Sequence, residues 1–213
     1  MLDASIYEYM RVGLVHPMAF PECITGSGPI LETVTQIAAD PFFNAIEVTW
    51  IHDDEVRAAV RDVLRVGGLV CAYAAQPAVL THQLNPNSLD EPEREAAVAA
   101  LKERIDEAAE VGATSLALLS GPDPGEGQRA AAAGALARSL QELCDYGLDA
   151  NVAITLETFD RTIDKCALIG PSDEAVEVAR LVNRDNFGLM LDLSHLPLQA
   201  ESAQRALTTA QYQ

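Results

Sequence analysis

The sequence predicts an α/β fold made of six successive βα units. Three observations predict it. Short apolar runs alternate with amphipathic stretches of helical period along the whole chain. The runs are nearly continuous in Val, Ile, Leu and Ala, as expected of strands covered on both faces. Polar side chains collect at the ends of the later runs, where parallel α/β sheets place their sites.

Taken in order, the candidate strands cover residues 12–15, 45–49, 69–73, 115–119, 152–156 and 188–191. Helices are expected near 30–39, 54–66, 92–111, 128–146 and 173–183, and a sixth runs from about residue 199 to the end. The helix over 92–111 has signals at both ends. Asp90 can cap it, Pro92 falls in its first turn, and Gly112 follows its last. Ser172 with Asp173 and Glu174 gives the fifth helix an acidic start. The alanines at 130–133 suit a helix interior.

Six such units imply a parallel sheet with right-handed crossovers. Doubly wound sheets and (β/α) barrels share this rhythm, so periodicity does not choose between them. The phosphate-binding fingerprints of doubly wound folds are absent: no G-x-G-x-x-G follows the first strand, and there is no G-x-x-x-x-G-K-[ST]. Gly121-Pro-Asp-Pro-Gly-Glu-Gly127 is glycine-rich, but its prolines remove amide donors that a phosphate cradle would use, so it reads as a loop.

The 213 residues suit one large domain or two small ones. A net charge of −18, from 14 basic and 32 acidic residues, repels polyphosphate, so neither nucleic acid nor an anionic membrane is an expected partner. Cys23, Cys71, Cys144 and Cys166 form no C-x-x-C pair, and Cys71 and Cys144 read as small core residues. No run reaches the roughly 18 apolar residues of a membrane helix. The start, with Asp3 and Glu8, does not read as a signal peptide. A cytoplasmic protein, assembled as a homo-oligomer, is expected.

The chemistry concentrates at two strand ends, Ile154-Thr-Leu-Glu-Thr-Phe-Asp160 and Leu189-Met-Leu-Asp-Leu-Ser-His195. A carboxylate ending an apolar strand is costly to bury unless it is paired or bound to a cation. Glu157 and Asp192 on adjacent strands would also repel each other. A divalent cation relieves both problems, His195 adds a neutral donor, and an oxygen-rich set with one histidine suits Mn, Mg, Co or Zn. Structural roles compete with this reading: Glu157 can cap a helix or pair with Arg161, and Asp192 can cap the following helix.

These motifs resemble the xylose-isomerase-like barrel superfamily of sugar phosphate isomerases and epimerases, ketose 3-epimerases, inosose-processing enzymes and hydroxypyruvate isomerases. In those relatives the fifth strand ends in a metal-binding Glu, here Glu157, and the sixth in Asp-x-x-His, here Asp192-Leu-Ser-His195. Asn85-Pro-Asn-Ser-Leu-Asp-Glu-Pro-Glu-Arg94, leading to a long helix ending Ala109-Glu-Val-Gly-Ala113, is similar to a substrate-facing loop of the family. The resemblance spans about residues 11 to 200 and implies a (β/α)8 TIM barrel.

The resemblance further implies a metal-dependent sugar or hydroxy-ketone isomerase or epimerase working through an enediolate. Glu157 would be a metal ligand and an acid/base group, and Asp192 a plain ligand. His195 would contact a substrate oxygen or, in zinc-rich relatives, the metal. His16 and Glu47, at the ends of the first two strands, could line the pocket, or be a surface histidine and a strand-end charge. Arg161 and Lys165 are candidates for gripping a substrate phosphate or carboxylate, or are solvated charges.

The family's site also needs a His on the seventh strand and a Glu on the eighth, and neither is found. A complete barrel usually takes about 250 residues. Residues 1–213 are therefore expected to form a single barrel domain lacking units seven and eight, as a piece of a longer chain. The first and sixth strands should face each other across a gap, each with an unpaired edge and an apolar inward face over 12–15 and 189–191. Two other functions stay open: a non-catalytic barrel subunit with a vestigial metal site, and a phosphodiesterase acting at abasic DNA sites.

Overall fold

A computed structural model describes residues 4–211. Its centre is one parallel sheet of six strands: β1 (Gly13–Val15), β2 (Ala45–Val48), β3 (Val70–Ala74), β4 (Ser115–Leu119), β5 (Ala153–Glu157) and β6 (Phe187–Met190). Their order in the sheet is their order in the chain, and every neighbouring pair is parallel. Among the described residues β1 and β6 are not bonded to each other, so the sheet stays open at the expected place.

The connecting helices are α1 (His16–Ala19), α2 (Ile30–Ala39), α3 (Asp54–Gly67), α4 (Gln76–Thr81), α5 (Glu91–Val111), α6 (Arg129–Ala150), α7 (Ser172–Val182) and α8 (Ala203–Ala210). The caps explain their limits. Asp53 accepts the amides of Glu55 and Val56 at the start of α3. Asp90 accepts that of Glu93 on α5, and Gly112 ends α5 with φ of 83°. The acidic start of α7 is as expected, with Asp173 and Glu174 in its first turn; Ser172 opens that turn, and its hydroxyl bonds to the Glu201 carboxylate. The short helices α1 and α4 have no counterpart among the expected elements, because four to six residues are too few to show a period.

Side chains alternate along the strands between two unlike faces. Toward the helices point Ile46, Val48, Cys71, Tyr73, Leu116, Leu118, Ile154 and Leu156, all buried in one core with the inner faces of α2, α5 and α6. Cys144 and Cys71 belong to that core, as expected. The opposite face carries Glu47, Ala72, Ser115, Ala153, Thr155, Gly188 and Met190, which are half-buried. The edge strands depart from expectation here. Leu14 and Leu189 pack against the helix-side core, so the inward positions are Gly13 and Val15 on β1 and Gly188 and Met190 on β6. No helix among the described residues is long and apolar enough to cross a membrane.

Candidate metal and proton-transfer site

Glu157 is the last residue of β5, with Leu119 beside it on β4 and Met190 beside it on β6. It is 6% exposed. Two residues beyond Met190, Asp192 falls on the same side of the chain at the same end of the sheet. A tight turn then brings His195 back. The His195 amide donates to the Asp192 carbonyl at 3.1 Å, and the Ser194 amide donates to Asp192 Oδ1 at 2.7 Å. Asp192 therefore closes a turn and does not cap the following helix, whose N-cap is His195; its Oδ2 lies 3.5 Å from His195 Nε2. The His195 ring lies against Phe159, centroids 4.3 Å apart. Ligand atoms of Glu157, Asp192 and His195 all fall within 4.8 Å of one another.

Electrostatics at this spot are uncompensated. Burial pushes the Glu157 carboxyl up to about 7; Gln76 pulls it down by donating a 2.7 Å hydrogen bond, while Asp192 and Glu47 push it further up. Glu47 faces the same interior from β2, and burial raises its carboxyl too. The arrangement thus holds two inward carboxyls against the sheet with no cationic side chain bonded to either among the described residues. The pairing of Glu157 with Arg161, open on the sequence, does not form.

The remaining candidates have other surroundings. His16, the first residue of α1, is 2% exposed, with Nε2 2.8 Å from Thr33 Oγ1 on α2 and its ring near Phe20. It is not a surface histidine, and its ring ties α1 to α2. Arg161 donates to both oxygens of Glu174 and to the Leu168 carbonyl, so its donors fasten the loop after β5 to α7. The Nζ of Lys165 lies 3.1 Å from Asp164. The loop after β3 packs Asn85 and Asn87 against Gly121, where any Cβ would stand 2.2 Å from Asn85 Oδ1.

Three contributors were missed by sequence reasoning. Gln76 reaches Glu157 from α4, 81 residues away, and no local pattern signals it. Phe159 and Asp160 follow Glu157 directly. Asp160 is fully buried. Burial alone would raise its carboxyl, but three amide bonds from Ile163, Asp164 and Lys165 outweigh this and bring it down to about 2. An Asp that opens a polar turn is a signal for such a loop clamp.

A model of the xylose isomerase-like TIM barrel matches residues 36–210. The chain belongs to that family. Its sheet is correspondingly an incomplete (β/α) barrel. Solved structures agree on the fold. A D-psicose 3-epimerase with D-tagatose from Clostridium cellulolyticum H10 superposes with a TM-score of 0.75 at 16% identity, over 94% of this chain and 70% of that one. An L-ribulose 3-epimerase gives 0.71 at 20%, over 94% and 66%. A family 2 AP endonuclease from Brucella melitensis gives 0.67 at 20%, over 85% and 69%. No curated protein matches the chain by sequence. Within the family fold, the mouth formed by the ends of β5 and β6 is where barrels carry their chemistry.

Proposed function

We propose that the chain carries the proton-transfer and metal-holding part of a carbohydrate isomerase or epimerase, which moves a proton beside the carbonyl of a sugar, sugar phosphate or hydroxy-ketone through an enediolate. The observation that carries this reading is the convergence of Glu157, Asp192 and His195 at the mouth of a xylose isomerase-like barrel. Relatives in fold that are 3-epimerases of D-psicose and L-ribulose support the substrate class. The net charge of −18 disfavours a polyphosphate substrate and so favours this reading over that of the endonuclease relative.

The donor set fits one divalent ion. Two carboxylates and an imidazole suit Mn, Mg, Co or Zn, and a cation would relieve the burial and mutual repulsion now carried by Glu157. Glu157 and Asp192 would hold it, with His195 as third donor or as a contact to a substrate oxygen. Such an ion, when bound, supplies Lewis-acid stabilisation of negative charge on substrate oxygens. Glu157 would take the proton from the carbon beside the carbonyl. Phe159 fixes the plane of His195. Glu47 would line the inner wall. Because Arg161 is taken up by Glu174, Lys165 is the better placed of the two cations for an anionic group on the substrate. We further propose that residues 1–213 act as one barrel domain, completed between β6 and β1 by two more βα units.

Elemental analysis of dialysed full-length protein tests the site: about one divalent ion per chain is expected, in the manner of single-metal enzymes. No bound metal, together with no thermal shift on adding Mn, Mg, Co or Zn, sinks it.

A further inference from the structure

Gln76 is the polar side chain at the mouth with one arm used and one arm idle. It opens α4 immediately after β3, and its backbone is firmly seated. The Ala75 amide donates to the Ala117 carbonyl on β4 at 2.8 Å, and Ala75, Ala78 and Val79 are buried. From there Nε2 reaches across to Glu157 Oε2 at 2.7 Å. The other arm, Oε1, is buried and has no hydrogen-bond partner among the described residues. A buried acceptor left unmet is destabilising, so its persistence beside a chemically equipped carboxylate needs a reason.

A carboxamide is suited to this position in a way other side chains are not. It presents a donor and an acceptor on one rigid plane, so it can donate to a carboxylate and accept from a hydroxyl at once. Lysine would donate only, and would neutralise Glu157. A second glutamate would repel it. We propose that Gln76 is the substrate-positioning residue of this site: Nε2 fixes Oε2 of Glu157, while Oε1 accepts a hydroxyl of a polyhydroxylated substrate. One side chain thus sets the register of the sugar against the group that takes its proton. The assignment rests on the proposed isomerase/epimerase function and adds to it a hydroxyl-bearing substrate.

The test uses full-length protein loaded with Mn²⁺, with D-fructose and D-tagatose as probes. Turnover and exchange of the sugar C–H proton with deuterated water are followed, and sugar affinity is measured separately by calorimetry. Gln76→Leu removes both arms at similar bulk. Loss of a hydrogen bond to a charged group should lower kcat about 10–100-fold, and loss of the hydroxyl contact should weaken sugar binding about 3–10-fold, with Tm unchanged. Gln76→Glu should have a lower kcat than the leucine variant. A leucine variant within twofold of wild type in kcat, KM and sugar affinity overturns the assignment and leaves the isomerase/epimerase reading standing. Losses that track a lowered Tm and disappear on cooling overturn it too, because they mark a structural role. A wild-type protein that neither binds nor exchanges either sugar overturns the reading and this assignment together.

Discussion

The two faces of the sheet obey opposite rules. Toward the helices, positions such as Leu116, Leu118, Ile154 and Leu156 are filled by large apolar side chains with no access to water. Toward the interior, strands β2 to β6 present small, half-exposed residues such as Ala72, Ser115, Ala153, Thr155 and Gly188, the buried Ala117 and Leu119, and the carboxylates Glu47 and Glu157. A parallel strand alternates its side chains, so a single run supplies both faces. The helix face supplies the free energy of folding. The inner face carries groups that work against it, and that is a reason to read it as a place of chemistry.

Glu157→Gln should break the comparison most sharply if it is wrong. Removing a proton-transferring group should lower turnover by about 10²–10⁴-fold. Stability should not fall with it. Glu157 ionises reluctantly because it is buried, so the folded state prefers it neutral, and a neutral Gln removes that conflict. The sign comes from the raised proton affinity: wild type should lose stability as pH rises from the ordinary carboxylate range through about 7, and the variant should not. Melting curves of the metal-free protein from pH 5 to 8, run beside turnover assays of the metal-loaded protein, give both answers. A variant that melts lower than wild type at pH 8 contradicts the inner-face rule.

Leu116→Ala on the opposite face is the next largest effect and the mirror image. Leu116 is fully buried on β4, and deleting such a side chain costs about 2–5 kcal/mol through lost burial and the cavity left behind. Denaturant titration should show that loss. Metal content of the remaining folded protein should be unchanged, because Leu116 points away from the carboxylates. Loss of metal at full stability would show that the two faces are not separable in this way.

Much of this division is legible in the sequence, for a physical reason. Apolar runs mark strands, and a parallel sheet brings the C-terminal ends of all its strands to one edge, so Glu157, Asp192 and His195 could be gathered without coordinates. Sequence does not carry the identity of partners brought by the fold. Arg161 lies close enough to Glu157 in the chain to suggest a shared site, yet Glu174, thirteen residues on, is where α7 begins and captures it. His16 comes after a strand as a pocket residue would, but α1 turns it under α2 to meet Thr33. Gln76 looks like an ordinary polar residue until β5 is placed beside its helix.

The smallest expected effect tests the contrast within the histidines themselves. His16 belongs to the packed layer and His195 to the mouth, so pH should act on them through different observables. Burial holds His16 below its ordinary proton affinity, with Glu22 opposing weakly, and its ring nitrogen is already engaged with Thr33. The unfolded chain therefore binds that proton more readily than the folded one, and stability rises with pH wherever this holds. In practice wild type should lose stability as pH falls below about 6.5, the ordinary histidine value. His16→Gln keeps a polar partner for Thr33 but cannot take up a proton in this range. It should flatten the pH dependence between 7 and 5 without altering metal content. His195→Gln should do the reverse, lowering metal or sugar affinity while leaving that slope in place. Equal slopes in wild type and His16→Gln would mean that the histidine beneath α2 takes no part in the acid response, and would remove it from the packed layer's account.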